Sequence, residues 1–102
     1  MSADVTKNTF SKVNQKLYRS ISNIKKKPAV NFLKRRLYDQ KAIKGAIKKD
    51  PVGWFTAYHF HWGMAVRNML RHEGFGEKYF GIKNLDDVYV ELVEEAVMEK
   101  AQ

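Results

Sequence analysis

The chain of 102 residues contains no cysteine. That excludes a disulfide scaffold and every Cys-ligated zinc, haem or iron–sulfur site, so the fold must be held by packing. Proline occurs twice and glycine six times, leaving few positions where the backbone has to break. Long apolar runs are also missing. The most apolar window, Trp54–Val66, holds two histidines and falls short of the roughly 20 residues a membrane span needs. The opening MSADVTKNTF has no charged-then-apolar leader pattern. A cytoplasmic protein without a membrane partner is the expectation.

Acidic residues are scarce in the first half. Residues 1–50 carry 14 basic and 3 acidic side chains, and residues 51–102 carry 5 basic and 8 acidic, so a +8 chain divides into halves of +11 and −3. Such asymmetry points to a basic segment for an anionic target joined to a more neutral folding unit. Alternatively, the halves neutralise each other inside one fold, although eight acids leave a surplus of bases facing outward. With 44% hydrophobic residues the chain has apolar material for one domain. The division expected is a basic helical arm, residues 1–50, and a helical core, residues 51–102, forming one structural unit.

The apolar spacing is helical throughout, which predicts an all-α protein of about four helices. Phe10, Val13, Leu17, Ile21 and Ile24 share one face of a first helix, capped at Asn8 or Thr9 and stopped or restarted by Pro28, with Lys12, Lys16 and Arg19 off that face. Between Pro28 and Lys49 the apolar Val30, Leu33 and Leu37 are followed by Ile43, Ala46 and Ile47. The stripe slips between Tyr38 and Ala42, which predicts two short helices broken near Asp39-Gln40 or one bent helix. Asp50-Pro51 is an N-cap followed by a first-turn proline, and the helix it opens runs to about His72 before Gly74. Trp54, Phe55, Tyr58, Trp62, Ala65, Val66 and Met69 form its inward face. Gly74–Lys83 reads as a packed aromatic loop with a short turn. The last helix opens at Asn84 with Asp86 and Asp87 in its first turn, buries Leu85, Val88, Leu92, Ala96 and Val97, and turns Glu91, Glu94, Glu95 and Glu99 to water or to the basic half.

The candidate partner-binding residues are Lys25, Lys26, Lys27, Lys34, Arg35, Arg36, Lys41, Lys44, Lys48 and Lys49. Lysine and arginine on helix faces contact phosphate without reading sequence, and Tyr18, Phe32 and Tyr38 lie among them. No helix-turn-helix, zinc-finger or ribonucleoprotein motif accompanies this charge, so sequence specificity is not expected. A basic amphipathic helix at 9–27 could also lie on an anionic membrane, but it has no tryptophan and a narrow apolar stripe.

A second constellation falls on one helical strip: His59, Gly63 and Arg67 four apart, with Asn68 and Arg71 beside them. One reading is an anion groove in which Arg67 grips a phosphate or carboxylate while His59 and Asn68 orient it. The other pairs Arg67 with Asp86 or Asp87, with Gly63 letting another backbone pack close. His59 and His61, two apart on a helix, point to opposite sides, and His72 is about three turns on, so the histidines make a poor metal set. Neither a G-x-S-x-G elbow nor a Walker loop is present. No cofactor, metal or catalytic residue is expected, and a small His-metal enzyme is the remote alternative.

The stretch His59-Phe60-His61-Trp62-Gly63-Met64-Ala65-Val66-Arg67-Asn68, followed by Phe75, Tyr79-Phe80 and Asn84-Leu85-Asp86-Asp87, resembles a small uncharacterised family of bacterial and phage proteins. The shared pattern is H-F-x-x-G-M-x-x-R-N, an aromatic loop, and D-D opening a helix. It covers about residues 54–98 and leaves the basic half unmatched. Family members carry a tryptophan-containing stretch where this chain has Met69-Leu70-Arg71-His72. The resemblance implies that Arg67, Asn68 and Asp87 act as one motif and that the setting is a virion or its assembly. The function expected is therefore a non-enzymatic binding or assembly protein, in homo- or hetero-oligomeric assemblies, docking through its basic half on nucleic acid or an acidic protein surface. A stand-alone nucleic-acid-binding regulator is the alternative.

Overall fold

In the computed structural model, residues 16–37 and 40–98 are described. The expected first-helix positions Asn8, Thr9, Phe10, Lys12 and Val13 lie outside them, as do Tyr38, Asp39 and Glu99. A helical stretch at 16–20 ends at Ile21, and the Ser22 hydroxyl accepts the Ile24 N–H at 3.1 Å to start a new helix, α1 (Asn23–Arg36). The helix expected to run through to residue 27 is therefore broken at Ile21-Ser22. Pro28 does not stop a helix; it lies exposed inside α1, six residues past the Ser22 cap.

The break changes which side chains point inward. Ile24, expected in the core, is 85% exposed, and Lys26 takes an inward position instead. Its ammonium donates to the Tyr18 carbonyl at 3.0 Å and sits 4.2 Å from the Tyr18 ring centroid. A buried cation needs such partners, and the closing carbonyl of the preceding helical turn together with a π face supplies them.

The slip near Asp39-Gln40 resolves as two helices, since α1 ends at Arg36 and α2 begins at Lys41 (Lys41–Lys49). Ile43 and Ile47 are the buried face of α2, and its lysines are exposed. Asp50 caps the next helical run by accepting the Gly53 N–H at 3.1 Å. That run comprises α3 (Phe55–Tyr58), a π turn (His59–Gly63) and α4 (Met64–His72). It ends in a Schellman closure: Gly74 adopts φ +94°, its N–H reaches the Arg71 carbonyl and the Phe75 N–H reaches the Leu70 carbonyl at 2.8 Å. The π turn rotates the following face, so that Val66, Arg67 and Leu70 point inward, while Ala65 is exposed.

The glycine-rich connection folds as the packed loop anticipated, around the single turn α5 (Glu77–Phe80). Tyr79 donates its hydroxyl to the Lys25 carbonyl at 2.8 Å while the Lys25 ammonium donates to the Tyr79 carbonyl at 2.8 Å, which pins the loop to the start of α1. Asn84 accepts the Asp86 N–H and opens a 3₁₀ turn (Leu85–Asp87), and α6 (Tyr89–Met98) follows it. The last helix therefore starts later than Asn84, with both aspartates in the 3₁₀ turn ahead of it.

The core forms where α1 lies along α6 with α2 packed beside it. Leu33, Leu85, Val88, Leu92 and Val93 lose all solvent contact there. The basic half is thus folded across the second half, and Ala29, Val30, Phe32, Leu33, Ile43 and Ile47 belong to the same core as Val66 and Leu92. Phe32 and Tyr18, two of the aromatics expected among the nucleic-acid-facing lysines, are both buried. Tyr18 donates to Glu95 at 2.5 Å and Trp54 to Glu94 at 2.8 Å, so these two acids of α6 meet aromatic N–H and O–H donors. Burial, then the Glu95 hydrogen bond, raises the Tyr18 hydroxyl well above the usual phenol range. Burial likewise pushes Glu91 up to about 7, with Glu94 adding repulsion, and its Oε1 finds no hydrogen-bond partner among the described residues.

Two outcomes follow from these placements. A Cβ added at Gly45 meets nothing within 4 Å, so Gly45→Ala removes a mid-helix glycine penalty of about 1 kcal/mol and raises the melting temperature by about 4–8 °C in a thermal scan. Because Glu91 holds its proton more tightly when folded, its contribution to stability is full below the ordinary carboxyl value of 4.5 and is lost as pH rises through about 7. Urea titrations of Glu91→Gln between those limits should show a flatter pH dependence than the parent and greater stability at the alkaline end.

Candidate functional site

The strip singled out in the sequence closes on itself. Arg67, on α4, is 7% exposed, and its Nε donates to Asp86 Oδ1 at 2.9 Å. Its Nη1 lies 3.2 Å from His59 Nδ1 and 3.4 Å from the His59 carbonyl, and the guanidinium stands 4.9 Å from the Tyr89 ring centroid. The Tyr89 hydroxyl is 2.9 Å from the same His59 Nδ1, and His59 Nε2 is 3.8 Å from Asp86 Oδ2. A guanidinium has no lone pair to offer, so a hydrogen bond between them requires Nδ1 to accept from Arg67. Burial pushes the Tyr89 phenol up to about 12 with help from Asp86, against the lowering effect of Arg67, and it stays a donor.

Gly63 supplies the space. A Cβ there would collide with the Tyr89 hydroxyl and come within 3.1 Å of its Cζ and 3.2 Å of Arg67 Nη1. The glycine therefore admits two side chains where the sequence suggested a backbone. Of the two readings, Arg67 paired with Asp86 is the arrangement found; an open groove with Arg67 presented to a ligand is not. Asn68 does not join the cluster: it accepts from Arg71 Nη1 at 2.9 Å. Arg71 in turn holds Glu77 at 2.7 Å, and Glu77 also accepts the Leu85 N–H, so this second clasp ties the loop down. The Arg71 hydrogen bond, followed by backbone N–H donors, pulls Glu77 down to about 2. The side chain of Asp87 lies outside the described set. His61 and His72 are exposed, and among the described residues no three His, Cys, Asp or Glu side chains gather to hold a metal ion.

The lysine set divides. Lys25 and Lys26 are committed to Tyr79 and Tyr18, and Arg36 stacks 5.4 Å from Phe32, so these three hold the fold together. Lys34, Lys41 and Lys44 converge instead on a cleft of about 230 Å³ where α1, α2 and α6 meet, together with Gln40 and over Leu37, Ala96 and Val97. Lys27 and Arg35 line a separate, more open groove with Ile24, Pro28, Asn31, Glu73 and Phe75. Lys48 and Lys49 stand exposed at the end of α2. Among the described residues, Lys27, Lys34, Arg35, Lys41, Lys44, Lys48 and Lys49 make no ion pair. Tyr89 and Glu77 were not singled out by the sequence reading. Tyr89 stands three residues after Asp86, a spacing that marks it as a candidate neighbour of whatever Asp86 holds.

No family model matches this chain, and neither the curated proteins nor the solved structures contain a match to it.

The close fit at Gly63 sets up a double-mutant cycle. Gly63→Ala should destabilise the protein by roughly 2 kcal/mol, the scale of an overpacked core position. In a Tyr89→Phe background, where the colliding hydroxyl is gone, the same change should cost about 1 kcal/mol less. Chemical denaturation of the four proteins measures the difference, and equal costs in both backgrounds would mean the hydroxyl is not what fills the glycine's place.

Proposed function

We propose that this chain is a non-enzymatic binding protein that docks through the basic face of α1 and α2 on a polyanion, either nucleic acid or an acidic protein surface, in a virion or a comparable assembly. The observation that carries the reading is the set of unpaired cations on those two helices: Lys34, Arg35, Lys41, Lys44, Lys48 and Lys49, none in an ion pair among the described residues. Like charges held on one folded surface repel, and a polyanion that displaces their counterions relieves that repulsion. The His59–Arg67–Asp86–Tyr89 cluster supports the same view, because its polar atoms are spent on one another and it serves as a fastening. Gly45 and Ala42 lie exposed between the lysines of α2, so a partner's backbone can approach that helix closely.

Binding to polyanions at two salt concentrations tests this. Six phosphate contacts predict about a 10³-fold loss of affinity for duplex DNA between 50 and 200 mM salt. An acidic protein partner predicts instead a stoichiometric complex that survives moderate salt. Failure to bind either class of polyanion at 50 mM salt would overturn the proposal.

A further inference from the structure

We infer that the cleft between α1, α2 and α6 is a seat for the sugar–phosphate backbone of a nucleic-acid duplex; this rests on the docking role proposed above and names the partner and the point of contact.

Lys34 comes from the last turn of α1, and Lys41 and Lys44 from the first turn of α2, so two separate helices direct three cations to one concavity. Among the described residues, no acidic side chain lines it. Glu94 and Glu95 of α6 are turned to Trp54 and Tyr18. Three uncompensated ammonium groups select an anion. The floor selects further: Leu37, Ala96 and Val97 are each 5–6% exposed and present apolar surface beneath the lysines. A bare phosphate leaves that floor unused, whereas a sugar–phosphate unit places its carbon edge there and its phosphate among the lysines.

Size and lining separate the backbone of a polymer from a free nucleotide. At about 230 Å³ the cleft is smaller than the roughly 300–1,000 Å³ of pockets that enclose a whole small-molecule ligand. Among the described residues, no aromatic side chain lines it. Proteins that hold single strands use aromatic platforms for the bases, so a cleft of lysines over aliphatic carbon suits a duplex, whose bases are already stacked. The other cations of that set, Lys27, Arg35, Lys48 and Lys49, lie outside the cleft and add field without a seat.

The test compares two charge-matched triple variants of the full chain for binding to a labelled 20-base-pair DNA duplex, with circular dichroism confirming that each folds. Lys34→Gln/Lys41→Gln/Lys44→Gln should weaken binding at least about 10-fold more than Lys27→Gln/Lys48→Gln/Lys49→Gln and lower the log–log salt slope by roughly 2 to 3. Adding duplex to the parent should also shift the methyl resonances of Ala96 and Val97. Equal losses from the two triples, with those methyls unmoved, would overturn the seat and leave polyanion docking intact as a diffuse attraction. Equal or tighter binding of a 20-nucleotide single strand would overturn the assignment to a duplex. Saturation of the cleft by inorganic phosphate or a nucleoside monophosphate at the affinity of the duplex would assign it to a free phosphate ligand instead. Binding to an acidic protein but not to the duplex would overturn this inference alone, and binding to no polyanion would remove the docking role with it.

Discussion

The Arg67 guanidinium, almost closed off from water against Asp86 and the face of Tyr89, is the constraint from which the remaining geometry follows. A cation in that position is costly unless its donors are satisfied, and leaving it without its carboxylate costs more than the pair contributes. Asp86, the His59 ring, the His59 carbonyl and the aromatic face satisfy it from two segments of the chain. The π turn brings His59 and Gly63 to the right place beneath it, and the 3₁₀ turn brings Asp86 and Tyr89. The cluster thereby fixes where α6 starts, and α6 is the surface on which α1 and α2 lie. The basic face is positioned by an interaction in the other half of the molecule.

Local chemistry was legible wherever it acts over a few residues. Asp50-Pro51, Gly74 and Asn84 each mark an element boundary through a hydrogen bond spanning two to four positions, and each boundary stands within a few residues of where that chemistry puts it. The all-α fold follows from apolar spacing in the same way. What was not legible depends on distant partners. Ser22 ends one helix and starts another, yet the unbroken stripe Leu17–Ile21–Ile24 argues for continuity; Ile24 loses because Lys26 gains the Tyr18 carbonyl and ring. The π turn has no local signature here except Gly63, whose meaning is set by Tyr89, 26 positions further along the chain. For the site, Arg67 with Asp86 could be read from an arginine on one helix and aspartates ahead of the next, whereas the meeting of Lys34 with Lys41 and Lys44 depends on how α1 and α2 are set against α6, which composition does not reveal.

Charge segregation along the chain also becomes charge segregation in space, for a reason visible in the acids. Glu94 and Glu95 are half-buried on α6 and accept from the Trp54 indole and the Tyr18 hydroxyl, which are neutral donors, while Asp86 and Glu77 are paired with the arginines of their own half. A glutamate that accepts from an aromatic donor is satisfied without consuming a cation. Had the same positions faced lysines of α1 and α2, the two halves would neutralise each other and the surface would be electrically mixed. The fold instead meets its internal polar demands with tyrosine, tryptophan and arginine and leaves the lysines of α2 outside that account. Their mutual repulsion is then a cost that a bound anion would relieve, and that is why the proposal rests on these lysines and not on the conspicuous histidine strip.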